Sequence, residues 1–325
     1  MSRLEIRLFG QISILRGGEP LSGLSTKALE LLCYVLLHRE RGHTREALAG
    51  LFWPDAPDPQ AKKYLRQAIW RLQSKLTYRD LLSVSAGWIR INPEASLWLD
   101  IAEFEQAYEF NRDTPSHELT DSQARALEAA TVLYRGDLIE AWYQDWCIYE
   151  RDRLQLIHLT MLEQLMSHCE ARGRYAKGIT YGQSILRYDP ARECTHRGLM
   201  RLYYQVGDRT TALRQFERCA AAMAQQFNVH PSRETVALFH QVRGDRLETL
   251  EREADVPPRS GVEQGGDVFL RLQTSLDHIQ AALTALQRQV QQVAPVNRMQ
   301  SAQTVRPALR ETALYTGIAG RREAR

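Results

Sequence analysis

A chain of 325 residues is long enough for about two domains with cores of their own. With 44% hydrophobic and 25% charged residues and a net charge of +3, it is neither collagen-like nor wholly disordered. Its most apolar stretch, Leu29 to Leu37, is interrupted by Glu30 and falls well short of the ~20 residues of a bilayer span. Arg3, Glu5 and Arg7 place charge where a signal peptide would be apolar, so a cytoplasmic protein without a membrane partner is expected. The five cysteines, Cys33, Cys147, Cys169, Cys194 and Cys219, are scattered and form no C-x-x-C. That pattern argues against a disulfide framework or a zinc module and for buried free thiols; no metal and no cofactor are expected.

Leu4-Glu-Ile-Arg-Leu-Phe and Gln11-Ile-Ser-Ile-Leu alternate apolar and polar residues, with Gly10 between them and Gly17-Gly18 after the second, which predicts a short antiparallel sheet. Ser25 is placed to cap a helix running to about His38, with Gly42 as its terminator. Thr44 caps a shorter second helix that stops near Trp53-Pro54, and Pro54, Pro57 and Pro59 stiffen the loop that follows. Asp58-Pro59 reads as an N-cap followed by proline in the first turn, so a third helix runs from there to about Leu76. Leu81-Leu-Ser-Val-Ser, the turn Ala86-Gly87 and Trp88-Ile-Arg-Ile-Asn then predict a β-hairpin. Strands, two helices, a proline-rich loop, a third helix and a hairpin, in that order, are a helix-turn-helix variant with a wing.

At about 100° per residue, Leu65, Ala68, Ile69, Leu72 and Leu76 share one face of the third helix and must point to the core. Lys63, Gln67, Trp70 and Ser74 fall opposite, flanked by Arg66 and Arg71. Residues 1–99 carry 14 basic against 9 acidic side chains, and 61–79 holds Lys62, Lys63, Arg66, Arg71, Lys75 and Arg79 with no acid. A basic block of this kind is what phosphate neutralisation needs, and its arginines, lysines and amides match the acceptors and donors of the major groove. Trp70 fits two roles: stacking on nucleic acid, or packing against the wing or the second domain. Arg90 follows the wing turn, where it reaches a phosphate or a minor groove unless a cross-strand ion pair holds it. Thr44 and Arg45, at the start of the second helix, complete the predicted DNA-binding set.

From Asp100 onward the pattern is helical, with segments at 100–110, 121–134, 145–172, 175–188, 192–206, 209–227 and 232–249. Gly173 and Gly207 lie 34 residues apart, each between two helices, at the period of tetratricopeptide repeats. Gly178 and Gly182 depart from that pattern, which favours alanine and an aromatic residue there; Ala212 and Phe216 keep it in the second unit. Residues 251–267 have the composition of a flexible linker. Phe269, Leu272, Leu276, Ile279, Leu283, Leu286, Val290 and Val293 then recur at alternating steps of 3 and 4, the a/d signature of a coiled coil over 268–294. An amphipathic helix lying on the chain's own body has the same pattern. Residues 295–325, with six Arg against two Glu, are expected to be a disordered basic tail.

Several of these segments resemble a known family. Leu4-Glu-Ile-Arg-Leu-Phe-Gly, Thr44-Arg-Glu-Ala-Leu-Ala with Leu51-Phe-Trp, Trp70-Arg-Leu and Gly87-Trp-Ile-Arg resemble an OmpR-type winged helix. Leu133-Tyr-Arg-Gly-Asp-Leu, Trp146 with Tyr149-Glu-Arg-Asp-Arg-Leu, and Ala212-Leu-Arg-Gln-Phe-Glu-Arg-Cys resemble the bacterial transcriptional activator domain. Together, 1–250 resembles the antibiotic-regulatory-protein family of bacterial activators. The resemblance implies a DNA-binding domain over 1–99, an activator domain of tetratricopeptide-like helices over 100–250, and double-stranded DNA, in direct repeats, and RNA polymerase as partners. It implies that Arg71 is the recognition-helix arginine and that the loop 53–59 faces the polymerase. Ser74 departs from the second basic residue common at its position, and the chain lacks the G-x-x-x-x-G-K-[ST] loop of larger relatives.

The expected fold is therefore mainly α, with a winged helix-turn-helix and small β-sheets, an all-α tetratricopeptide-like domain, and a C-terminal coiled-coil helix that makes a homo-oligomer. No catalytic motif is present, and Cys194-Thr-His196 is an isolated pair expected on a helix surface. The reading is a sequence-specific transcription regulator and not an enzyme. The alternative is a helical-repeat adaptor whose winged helix docks proteins; the acid-free basic face of the third helix argues against it.

Overall fold

The computed structural model describes residues 3–76, 81–85 and 87–247; the linker, the heptad and the tail of the sequence reading lie outside the described residues. The chain opens with β1 (Leu4–Arg7), β2 (Ser13–Arg16) and β3 (Glu19–Pro20). The alternation of β1 is realised: Leu4 and Ile6 are buried, while Glu5 and Arg7 are half-exposed. β1 pairs antiparallel with β2, from Leu4 opposite Arg16 to Arg7 opposite Ser13. Gly17 and Gly18 both take positive φ, 58° and 88°, in the turn from β2 to β3, as residues without Cβ do at no steric cost.

Helix α1 (Thr26–Leu37) starts after Ser25, whose backbone sits at the N-cap although its side chain makes no capping hydrogen bond. It ends at Leu37, short of Gly42. Gly42 instead lies under the Trp88 ring, where a Cβ would come within 3.2 Å of Cε3. There β4 (His43–Thr44) pairs with the wing, and α2 (Arg45–Phe52) and α3 (Asp58–Leu76) follow. The wing is β5 (Leu82–Val84) and β6 (Trp88–Ile91), antiparallel, in the sheet order β4-β6-β5. β7 (Leu97–Leu99) then joins the first sheet parallel to β1, giving β3-β2-β1-β7.

The remaining described residues are helical: α4 (Asp100–Asn111), α5 (Asp121–Leu133), α6 (Asp145–Ala171), α7 (Tyr175–Tyr188), α8 (Glu193–Gln205), α9 (Arg209–Phe227) and α10 (Arg233–Arg243). α10 stops at Arg243, before the expected 249: the Gly244 amide still closes on the His240 carbonyl, but Asp245 takes a positive φ of 55°, which breaks the helical repeat. Gly173 and Gly207, at φ 68° and 83°, make the matching turns between α6 and α7 and between α8 and α9. The two glycines that depart from the repeat pattern have a packing reason. A Cβ on Gly182 would lie 2.7 Å from Leu199 Cδ2, and one on Gly178 would lie 3.1 Å from Leu202 Cδ1, so α7 and α8 approach at these positions. The activator-like half is thus a stack of antiparallel helix pairs, each burying a face against the next.

One core runs from β1 into α6, from Leu4 to Leu165, without a break at the junction of strand β7 and helix α4. Asp100, nearly fully buried at that junction, accepts from the amides of Leu8 (2.9 Å), Phe9 (3.0 Å) and Ile101 (2.8 Å). Ile139 holds an unusual φ of 47°; its amide donates to the Leu8 carbonyl at 3.0 Å, while Arg151 donates to the carbonyls of Leu138, Ile139 and Trp142. A β-branched residue in that region is costly, so both contacts are needed to hold it. On the other side, Glu105 accepts from Arg39 (2.7 Å) and from Arg153, and Trp146 meets Tyr34 edge-on at 5.5 Å. The winged helix is therefore seated on the helical repeats by buried polar contacts as well as by apolar packing.

Two expectations about sulfur and histidine need correction. Cys33, Cys147, Cys169 and Cys219 are buried free thiols, but Cys194 is exposed, with its Sγ 3.1 Å from Glu163 Oε1. His196, two residues on, is not on a helix surface. It is 2% exposed, bonded to the Pro190 carbonyl through Nε2 (2.8 Å) and to Gln215 through Nδ1 (2.8 Å).

Candidate nucleic-acid interface

Helix α3 is held by its apolar face. Ala61, Leu65, Ala68, Ile69, Leu72 and Leu76 are all buried, chiefly against α2 and α1. Its start is fixed by the Pro57 carbonyl, which accepts from the amides of Gln60 (2.8 Å) and Ala61 (2.9 Å). Trp53, at the end of α2, fills the corner between Phe52 and Tyr64, with ring centroids 6.1 Å from each.

The opposite face carries Lys63, Arg66, Gln67, Trp70, Arg71 and Ser74, all exposed, with Lys62 half-buried at its edge. Lys63, Arg66 and Arg71 have no acidic partner among the described residues. Lys62 does: its Nζ lies 3.1 Å from Glu46 Oε1. The Glu46 carboxyl is held below its ordinary range by its own backbone amide and by that lysine. Trp70 is 68% exposed, so of its two predicted roles the packed one is overturned; the indole projects from the helix. Ser74 turns its hydroxyl back and donates to the Trp70 carbonyl at 2.7 Å, leaving a lone pair and no free donor for an outside ligand.

Thr44 and Arg45 sit at the joint between α2 and the wing. The Thr44 hydroxyl caps α2 by accepting from the Ala47 amide (3.2 Å), and the Arg45 amide donates to the Gly87 carbonyl (3.1 Å). Arg45 is half-buried, with no hydrogen-bond partner for its Nε. On β6, Trp88 and Arg90 face outward while Ile89 is buried, as strand alternation requires. Arg90 lies opposite Ser83, not opposite an acid, and forms no ion pair among the described residues. It borders a groove of about 440 Å³ that also exposes Arg41, Gly42 and Asn92. Arg41 was not among the predicted residues. Only the pairing of β4 with β6 brings this cation from the end of α1 beside the wing, and a two-residue strand has no periodicity to reveal it.

This surface has the chemistry of polyanion binding: exposed cations, an amide, two exposed indoles, and two acids, Glu46 paired with Lys62 and Glu40 beside Arg39. His38 and His43, near Tyr34 beneath it, are held below the usual imidazole pKa by burial and add no charge at neutral pH. No group of three His, Cys, Asp or Glu able to hold a metal occurs among the described residues, and none of their helices is long and apolar enough to cross a membrane.

Comparison with known proteins places the helical half first. The family model described as bacterial transcriptional activator domain matches residues 99–243. The chain is 27% identical over 256 residues to the regulatory protein AfsR of Streptomyces griseus, covering 78% of this chain and 26% of that protein. It therefore spans about a quarter of that relative's length. Among solved structures it is similar to Mycobacterium tuberculosis EmbR in complex with a low-affinity phosphopeptide. The TM-score is 0.60 and the identity 18%, over 76% of this chain and 66% of that one, which shows the fold alone. A winged helix over the first sheet, α1 to α3 and the β5–β6 wing, followed directly by a matched bacterial transcriptional activator domain, is the domain order that the resemblance to the antibiotic-regulatory-protein family implies.

Proposed function

We propose that the chain is a cytoplasmic transcription regulator that binds double-stranded DNA in a sequence-specific way and activates by recruiting RNA polymerase. It is a binding protein and not an enzyme. Helix α3 enters the major groove with Lys63, Gln67 and Arg71 toward base edges and Lys62 and Arg66 toward phosphates. Trp70 stacks on a sugar or a thymine methyl, and Arg90 reaches the adjacent minor groove, with Thr44 and Arg45 along the backbone; the Ser74 hydroxyl, turned back on its own helix, offers a phosphate no donor. The observation that carries this reading is the outward face of α3, where three exposed cations have no acidic partner on a helix whose other face is fully committed to the core. A helix built to dock proteins has no physical need to exclude carboxylates. The resemblance to AfsR, named a regulatory protein, and the activator-domain match supply the direction toward activation.

One winged helix reads few base pairs, so two copies on direct repeats are the proposed assembly, joined by the heptad from Phe269 to Val293. A gel-shift with DNA from upstream of the protein's own operon, run over a salt series, tests the central claim. Arg71→Ala is expected to cost about 1–3 kcal/mol and relax specificity at one position, whereas Lys62→Ala weakens all sequences alike and lowers the salt slope by about one. Unchanged affinity in the Lys63→Ala/Arg71→Ala double variant would remove DNA from the function and leave the adaptor.

A further inference from the structure

Away from the nucleic-acid face, α5, α6 and α7 line an open cleft of about 390 Å³, within the ~300–1,000 Å³ range of small-molecule sites. Its inner wall is aromatic. Tyr134 and His158 stack at 4.2 Å and 10° between planes, and Tyr188 stands edge-on to both, at 6.0 and 5.7 Å. Flat walls of this kind favour a planar ring, offered a stacked or an edge-on contact.

The polar groups of the cavity are arranged for a ligand with charge. His158 is 6% exposed, yet its Nδ1 has no hydrogen-bond partner, and no partner of Nε2 occurs among the described residues. Buried polar atoms are normally paired, and of the two ring nitrogens it is Nε2, not the wholly buried Nδ1, that can meet a group entering the cleft. Burial keeps the ring neutral at physiological pH, one nitrogen a donor and the other an acceptor. At the rim, Arg187 Nη2 donates to Ser184 Oγ at 2.8 Å, which fixes the guanidinium, and no carboxylate among the described residues pairs with it. The hydroxyls of Ser184, Thr180 and Thr131 each donate to a carbonyl of their own helix and so present only lone pairs inward.

We infer that this cavity binds a small aromatic carboxylate of one or two rings, the ring against Tyr134 and Tyr188, the carboxylate on Arg187 and a ring substituent on His158. A guanidinium held in place matches a carboxylate in geometry and charge, and a ring that enters gains the aromatic wall without displacing a packed side chain. This goes beyond the DNA-binding role, and either claim can fail without the other.

The test uses the full chain and 2-naphthoate, with 2-naphthamide as its uncharged isostere, in calorimetric titration. For a ligand of this size, saturable binding at about millimolar affinity is expected, with the amide about tenfold weaker for want of the charge-assisted contact. Arg187→Gln should erase the difference between acid and amide, and Tyr188→Ala should weaken both, with unchanged thermal melting showing that each variant is folded. 6-Hydroxy-2-naphthoate should gain over 2-naphthoate in the parent chain and lose that gain in His158→Phe. Absence of saturable 2-naphthoate binding, equal binding of acid and amide, or binding that neither variant changes would overturn the assignment.

Discussion

His158 offers a sharp test of how burial sets the acid stability of the fold. The ring lies between Tyr134, Phe104 and Tyr188, none of which stabilises a positive charge through a hydrogen bond, and burial alone lowers its pKa to about 4 from 6.5. In the unfolded chain the imidazole takes up a proton near pH 6.5; in the folded chain it resists until about pH 4. Between those values the unfolded state binds more protons, so the stability this residue contributes is complete above pH 6.5 and drains away as pH falls toward 4. The gap of about 2.5 pKa units, at 1.36 kcal/mol each, corresponds to roughly 3 kcal/mol. His158→Phe keeps an aromatic ring in the stack and removes the titration. Urea unfolding of both proteins at half-unit steps from pH 7 to pH 4 should therefore show the parent losing about 3 kcal/mol relative to the variant. Taking the difference cancels His38, His43 and His196, whose pKa values are also lowered by burial, and the carboxylates common to both chains. Parallel curves across that range would refute the reasoning and mean that His158 is solvated or partnered in solution.

The remaining expectations concern packing, charge and assembly. Gly182→Ala places a methyl 2.7 Å from Leu199 and should destabilise by about 1–3 kcal/mol despite its better helix propensity, whereas Gly50→Ala, with open space around it in α2, should gain about 0.5–1 kcal/mol; opposite shifts in melting temperature check the pair. Glu46→Gln frees Lys62 from its ion pair at the edge of the cationic face, so DNA affinity should rise with little change in the salt slope; an unchanged affinity would show that Lys62 does not reach the backbone. Truncation after Glu251 should convert an oligomer into a monomer that binds a single half-site, and a full-length chain that is monomeric by light scattering at tens of micromolar would assign the heptad to an intramolecular helix.

What the chain announces about itself is whatever repeats locally. Leu65, Ala68, Ile69, Leu72 and Leu76 are buried along α3 because a helix returns to the same face every three or four residues, and that rule needs no knowledge of what lies beneath. The outward cations, the wing turn and the Gly173 and Gly207 turns were legible for the same reason. Features that join distant residues were not. The parallel pairing of β1 with β7, the amides of Leu8 and Phe9 on Asp100, the Ile139 amide on the Leu8 carbonyl and the arrival of Arg41 beside Arg90 all depend on chain segments that meet only after folding. Gly178 and Gly182 look like departures from a repeat until Leu202 and Leu199 occupy the space a side chain would need. His158 and Tyr134 carry no motif at all. Local periodicity decides which face of an element is apolar; burial, charge pairing and the emptiness of a cavity are properties of the packed whole, and only tertiary structure sets them.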